Sequence, residues 1–264
     1  MQLKTDKMIA RKEDGVGWMI FNNPDRRNAV SLAMWEGVSE IMADFAADDE
    51  IRVAVMRGTG DKAFVSGADI SRFENERANV DRIKEYGVSV NRAYESVQYA
   101  LKPTIAKING YCYGGGMGIA VCTDLRICSE DSSFCIPAAK LGVGYGQHNT
   151  KVLMDLVGPS FTKEIFYTGR RFSSDEASKM GLVNNVVPKA ELSQFVDGYV
   201  ETMAGNAPLS LKTTNLIVNE LLKNEDEQDM TLCDRLVNEC AASEDIEEGR
   251  KAFMEKRKPE FVGR

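Results

Sequence analysis

Two stretches of the chain carry residues able to do chemistry. In "GYCYGGGMGIAVCTDLRIC", residues 110–128, three glycines (Gly114, Gly115 and Gly116) run straight into an apolar segment. Glycine is costly inside a helix, so a triplet marks a bend or a close backbone approach. Where such a loop opens a helix, its N–H groups lack internal partners and can face an anion or a polarised carbonyl. The competing reading is that the glycines only pack a helix against a strand. The next polar side chain is Thr123. In "AAKLGVGYGQHNTK", residues 138–151, the polar side chains are Lys140, Tyr145, Gln147, His148, Asn149, Thr150 and Lys151. His148 is the chain's one histidine, and an unperturbed imidazole suits proton transfer; a satisfied surface or helix-start histidine is the alternative. Asp69 has the chemistry of a base, but just ahead of Ile70 it reads as a helix cap.

These residues need elements to position them. "KMIARKEDGVGWMIFNNP" predicts two strands around an Asp-Gly turn, closed by Pro24. "SLAMWEGVSEIMADFAAD" has helical spacing with Ser31 as N-cap. "IRVAVMRGTG" predicts a buried strand. "KAFVSGADISRF" runs from a strand into a helix start through Gly67, and residues 81–100 have a helical pattern. "KPTIAKING" is a further strand ending at an Asn109-Gly110 turn. The glycine loop and its helix follow, then the strand "DLRICSE", a long loop through "LGVGYGQHNT", and a short strand in "LVNNVVP". Strands alternate with helices to about residue 190 and helices dominate afterwards, which predicts an α/β body with a helical C-terminal extension.

Whole-chain properties bound the function. The 264 residues suffice for a full core, and 43% hydrophobic with 28% charged residues is an ordinary globular balance. A net charge of −7 without an offsetting basic block argues against a nucleic-acid partner. "PDRRNA" and "EKRKPEF" are local basic clusters that suit anions. The six cysteines form no CxxC pair and read as buried, reduced thiols of a cytoplasmic protein. No apolar signal core or membrane-length run is visible, and one histidine without clustered carboxylates predicts no metal site.

The ordered set "NPDRRNAVS", "KAFVSGADI", "KPTIAKINGYCYGGGMGIAVCTDLRI", "SSFCIPAAKLGVG", "GLVNNVVP" and "GRKAFMEKRKPEF" resembles the enoyl-CoA hydratase/isomerase family, the crotonases, from about residue 8 to the C-terminus. The resemblance implies a crotonase-like spiral of ββα turns over residues 1–204 with the acyl-CoA site. It implies a C-terminal α-helical arm over 205–264 that builds a homotrimer or a hexamer, a dimer of trimers. The implied substrate is an acyl-CoA thioester, with coenzyme A part of the substrate and no separate cofactor. Carried over residue by residue, the Ala68 and Gly115 N–H groups hold the thioester oxygen. Phe253 and Lys256 lie near the nucleotide, Arg26 and Arg27 near its phosphates, and Ser66 and Ile70 flank the adenine and pantetheine. Ordinary solvated surface charge is the other reading of the cations.

The chain also departs from that family. The two glutamates of its hydratases fall at Gly118 and Ala138, and a general acid–base group typically contributes about 10²–10⁴ in rate. "LGVGYG" resembles the "LGVPYN" segment of methylmalonyl-CoA decarboxylases, whose tyrosine matches Tyr145. Those enzymes carry a histidine where this chain has Ala68. The catalytic set expected from the sequence is therefore Ala68, Gly115, Tyr145 and His148. The expected reaction is decarboxylation of a malonyl-type thioester through its enolate. Hydration or isomerisation with substituted catalysts is the alternative, and a non-catalytic CoA-binding scaffold is the alternative of another class.

Overall fold

The computed structural model describes residues 3–72, 76 and 78–264; Phe73, the end of the "KAFVSGADISRF" segment, and Met1 and Gln2 lie outside them. Strands β1 (Met8–Glu13) and β2 (Val16–Phe21) form an antiparallel hairpin. Its two turn residues, Asp14 and Gly15, both have positive φ, 49° and 79°, the conformation that matches the twist of a two-residue hairpin. Helix α1 (Leu32–Ala47) follows.

Three further turns repeat one plan. Strands β3 (Val53–Gly58) and β4 (Ala63–Val65) precede α2 (Val80–Gln98). Strands β5 (Thr104–Ile108) and β6 (Tyr111–Tyr113) precede α3 (Gly115–Val121). Strands β7 (Leu125–Ser129) and β8 (Ser133–Cys135) precede α4 (Gln147–Thr168). The first strand of each turn joins a six-stranded sheet that is completed by β10 (Asn185–Val187), in the order β1-β2-β3-β5-β7-β10. The second joins a four-stranded sheet that is completed by β9 (Phe172–Ser173), in the order β4-β6-β8-β9. Within the large sheet only the β1–β2 pair is antiparallel. This is the expected α/β spiral of ββα turns.

Strand β9 (Phe172–Ser173), α5 (Ser174–Lys179), β10 (Asn185–Val187) and α6 (Leu192–Ala204) complete the sheets and their cover. Helices α7 (Pro208–Leu221), α8 (Met230–Ala241) and α9 (Glu244–Glu255) make the C-terminal arm. The expected boundary at 204/205 falls at the end of α6.

The parallel strands are buried on both faces, which is why they read as near-continuous apolar runs. Period-two alternation splits them. Ala54, Met56, Ala106 and Ile108 face the main core with Phe21, Trp35, Phe45, Phe64 and Phe134. Val53, Val55 and Ile105 face the other way, against Leu192, Val196 and Val200 of α6. The arm is different: Val218, Leu221, Val237, Phe253 and Met254 are all exposed on the single chain. The loop expected through "LGVGYGQHNT" is shorter than the sequence suggests, because α4 already begins at Gln147. That helix is bent at Gly158, whose φ of 74° precedes Pro159. Among the described residues no helix is long and apolar enough to cross a membrane.

Candidate active site

Two backbone segments build the floor of the site. Strand β4 leads into Ser66-Gly67-Ala68, and Gly67 turns the chain at φ 111°, a conformation that side-chain-bearing residues rarely adopt. The segment is pinned to Val30: the Val30 N–H donates to the Gly67 carbonyl at 2.8 Å, and the Asp69 N–H donates to the Val30 carbonyl at 2.9 Å. These bonds flank Ala68 and leave its N–H without a partner among the described residues. On the second segment, the Gly114 N–H donates to the Cys135 carbonyl at 2.7 Å. Gly115 then opens α3, where an N–H has no intrahelical acceptor.

The glycines allow these segments to meet. A Cβ on Gly116 would stand 2.2 Å from the Val65 carbonyl oxygen, so only glycine lets α3 begin against β4. A Cβ on Gly67 would lie 3.9 Å from the Gly115 nitrogen, which puts the two N–H-bearing loops side by side. Thr123, the first polar side chain after the glycines, is buried and spends its hydroxyl on the Ala120 and Leu125 carbonyls.

Ala68 and Gly115 open into one cavity of about 420 Å³. Among its described lining residues no side chain is charged. Its polar groups are the hydroxyls of Ser66, Tyr86, Tyr94, Tyr113 and Tyr145 and the amides of Asn91 and Asn149; Ile70, Ile83, Val90, Ile136 and Leu141 supply apolar wall. The Tyr86 hydroxyl accepts a 3.0 Å bond from Trp35 Nε1. The Tyr113 hydroxyl shares its bond with Ser133 Oγ at 2.8 Å. Tyr145 packs its ring 5.0 Å from Phe166, and its hydroxyl has no partner among the described residues. Burial, with the neighbouring Tyr86, pushes the Tyr145 phenol above its ordinary range; burial does the same to Tyr94, assisted by Tyr145. Both therefore stay neutral O–H groups through the neutral pH range.

The sequence-predicted residues fall into two groups. Ala68, Gly115, Tyr145, Ser66 and Ile70 line the cavity. His148 is not among its lining residues; its Nε2 is buried without a hydrogen bond, and the neighbouring Asn149 faces the cavity instead. Arg26 is exposed and stands 3.9 Å from the Asp69 carboxylate. Arg27 lies over the Tyr111 ring at 5.1 Å. Phe253 and Lys256 are exposed on the arm, outside the cavity lining, with Phe253 81% accessible. Asp69 is held as a cap: its Oδ1 accepts from the Ser71 N–H at 3.2 Å and the Ser71 hydroxyl at 2.6 Å.

Sequence reading missed Tyr94. This residue of α2 is 2% exposed, its ring is edge-on to Trp35 at 5.4 Å, and its hydroxyl contacts the Gly115 carbonyl at 3.4 Å. A Cβ on Gly118 would lie 2.4 Å from that hydroxyl. The helical spacing of residues 81–100 was the only available signal, and it marks Tyr94 as core without saying what its hydroxyl meets.

The enoyl-CoA hydratase/isomerase family profile matches residues 11–264. The chain belongs to the enoyl-CoA hydratase/isomerase family. It is 30% identical to the short-chain-enoyl-CoA hydratase of Clostridium acetobutylicum, over 98% of each chain. It is 31% identical to the carnitinyl-CoA dehydratase of Salmonella typhi, over 90% of this chain and 92% of that one. Among solved structures, an enoyl-CoA hydratase/isomerase family protein of Hyphomonas neptunium superposes with a TM-score of 0.93 at 32% identity, covering 100% of both chains. Gly118, buried within α3, and the buried Ala138 are the two positions that the family resemblance matched to the hydratase glutamates, and neither carries a carboxylate.

Proposed function

We propose that this enoyl-CoA hydratase/isomerase family member processes acyl-CoA thioesters by stabilising a thioester enolate, and that its reaction is decarboxylation of a malonyl-type acyl-CoA. One observation carries the reading: among the described residues, the N–H groups of Ala68 and Gly115 have no partner and open into a cavity that no charged side chain lines. Donors fixed where negative charge develops are worth about 10²–10³ in rate each. An enolate oxygen held there needs no general base if carbon dioxide departs and leaves its electron pair behind. The cavity suits that step. A carboxylate at its position would repel the substrate's own carboxylate, and an uncharged wall disfavours a localised anion more than the neutral carbon dioxide it becomes. Tyr145 and Asn149 supply neutral hydrogen-bond donors able to orient the departing group.

In this reading coenzyme A enters as part of the substrate. The arm's exposed apolar residues serve a homotrimer or hexamer, and Phe253, Lys256, Arg26 and Arg27 serve the nucleotide. A second reading, hydration or isomerisation by substituted residues, has support in the relatives named enoyl-CoA hydratase. A mass-spectrometric screen of crotonyl-, methylmalonyl-, ethylmalonyl- and aryl-CoA separates them. Release of carbon dioxide from a malonyl-type thioester supports the first reading. Conversion of an enoyl thioester alone replaces it with the second. No turnover with retained CoA binding leaves a scaffold.

A further inference from the structure

Tyr94 and Gly118 form a matched pair. The hydroxyl of Tyr94 lies 2.4 Å from where a Cβ on Gly118 would stand and 3.6 Å from where a Cβ on Gly115 would stand, and Tyr94 and Gly115 both line the cavity. The phenol of α2 thus occupies the space into which a side chain from position 118 of α3 would grow. Its position is fixed by packing: the ring is buried edge-on against Trp35, which is itself held by its indole bond to Tyr86. Its one internal acceptor among the described residues, the Gly115 carbonyl at 3.4 Å, is at the outer limit of hydrogen bonding. The hydroxyl proton is therefore weakly held, and a ligand that offers a better acceptor can take it, beside the very residue whose N–H is assigned to the thioester oxygen.

We propose that Tyr94 is the proton donor of this site, delivering its hydroxyl proton to the α-carbon of the enolate in place of an acid at position 118. The proposal rests on the enolate reading above. In the step, the bond between the α-carbon and the carboxyl group breaks, carbon dioxide leaves, and the electron pair passes into the enolate held by Ala68 and Gly115. That pair then takes the Tyr94 proton to form the new C–H bond. The phenolate left on Tyr94 recovers a proton from solvent, so each turnover takes up one solvent proton. A donor fixed on one wall protonates one face of the planar enolate.

That face selectivity is the test. Wild type and Tyr94→Phe are incubated with methylmalonyl-CoA in D2O, carbon dioxide is measured, and the deuterium at the α-carbon of propionyl-CoA is assigned to one face or both. Calorimetry with CoA checks that the variant site is intact. Wild type is expected to deuterate a single face. Tyr94→Phe keeps the ring and the packing, and is expected to release carbon dioxide more slowly and to deuterate both faces, as solvent reaches the enolate from either side. Gly118→Ala, whose methyl group displaces the hydroxyl, is expected to reproduce the loss of selectivity with Tyr94 still present. Single-face deuteration at the wild-type rate by Tyr94→Phe overturns the proposal, as does deuteration of both faces by wild type; either result leaves the decarboxylase reading standing. Absence of carbon dioxide release by wild type overturns the decarboxylase reading and this proposal with it.

Discussion

Replacing Tyr145 by phenylalanine separates binding chemistry from packing at the cavity wall. The ring contact with Phe166 at 5.0 Å survives the change, and the hydroxyl it removes has no partner among the described residues of the free protein. Stability is therefore expected to change little, since no internal hydrogen bond is lost. Against a substrate carboxylate the cost is different. A hydrogen bond to a charged group is worth about 1.5–3 kcal/mol, which converts to about 10–150-fold in rate if the bond persists into the transition state. The hydroxyl stays protonated above the ordinary tyrosine range, because burial and Tyr86 oppose its ionisation, so the effect is expected to be flat from neutral pH up to the ordinary phenol range. The assay is carbon dioxide release from methylmalonyl-CoA under single-turnover conditions, alongside thermal unfolding. An equal rate in Tyr145→Phe refutes the role of the hydroxyl; a large loss of stability refutes the claim that the hydroxyl is internally unpartnered.

Three further outcomes follow from the same geometry. Gly118→Glu is expected to lower stability by about 1–3 kcal/mol, the usual range for overpacking a tight site, because its Cβ would meet the Tyr94 hydroxyl at 2.4 Å and Cζ at 2.8 Å. It is also expected to gain no crotonyl-CoA hydration unless Tyr94 is cut back to alanine; thermal unfolding and the hydration assay check both. Stability is expected to fall as pH rises above about 9. Burial raises the Cys112 thiol and the Tyr94 phenol well above their ordinary values, and the Cys122 and Cys128 thiols to about 12. In that range the unfolded chain releases protons that the folded chain retains, and chemical denaturation at pH 8 and 10.5 measures the difference. Light scattering at micromolar concentration is expected to give a trimer or hexamer, with Leu221→Glu and Met254→Glu weakening it; a stable wild-type monomer contradicts the role given to the arm.

What the sequence made legible follows from which interactions are local. The hairpin at Asp14-Gly15 and the strand "IRVAVMRGTG" rest on turn chemistry and on runs of apolar residues, so the spiral could be read almost turn by turn. The turns at Gly67 and Gly114 beside Ala68 and Gly115 were legible because glycine there fixes backbone shape, and backbone shape is what places an N–H. The start of α4 was less so: Gly142, Gly144 and Gly146 hide a helix that begins immediately after them, at Gln147. That one register decides which side chain enters the cavity, and it is Asn149 rather than the chemically conspicuous His148.

Position 118 shows the same limit more sharply. In the sequence, glycine there reads as a subtraction, an acid removed and nothing added. The space is nevertheless filled, from a helix 24 residues earlier in the chain, by a hydroxyl that a Cβ on Gly118 would strike. Tyr94 lies within an amphipathic helix whose buried face also carries Tyr86, Ala93 and Val97, and periodicity treats all four alike. Only the packing of α2 on α3 distinguishes a phenol whose oxygen reaches the cavity beside Gly115 from an aromatic that fills the core. The two residues also constrain each other physically: a side chain at 118 needs a smaller residue at 94, and Tyr94 needs glycine at 118. A side chain introduced at Gly118 alone is therefore expected to strain the packing of α2 on α3 before it can add any chemistry, and the two positions have to be read as a pair.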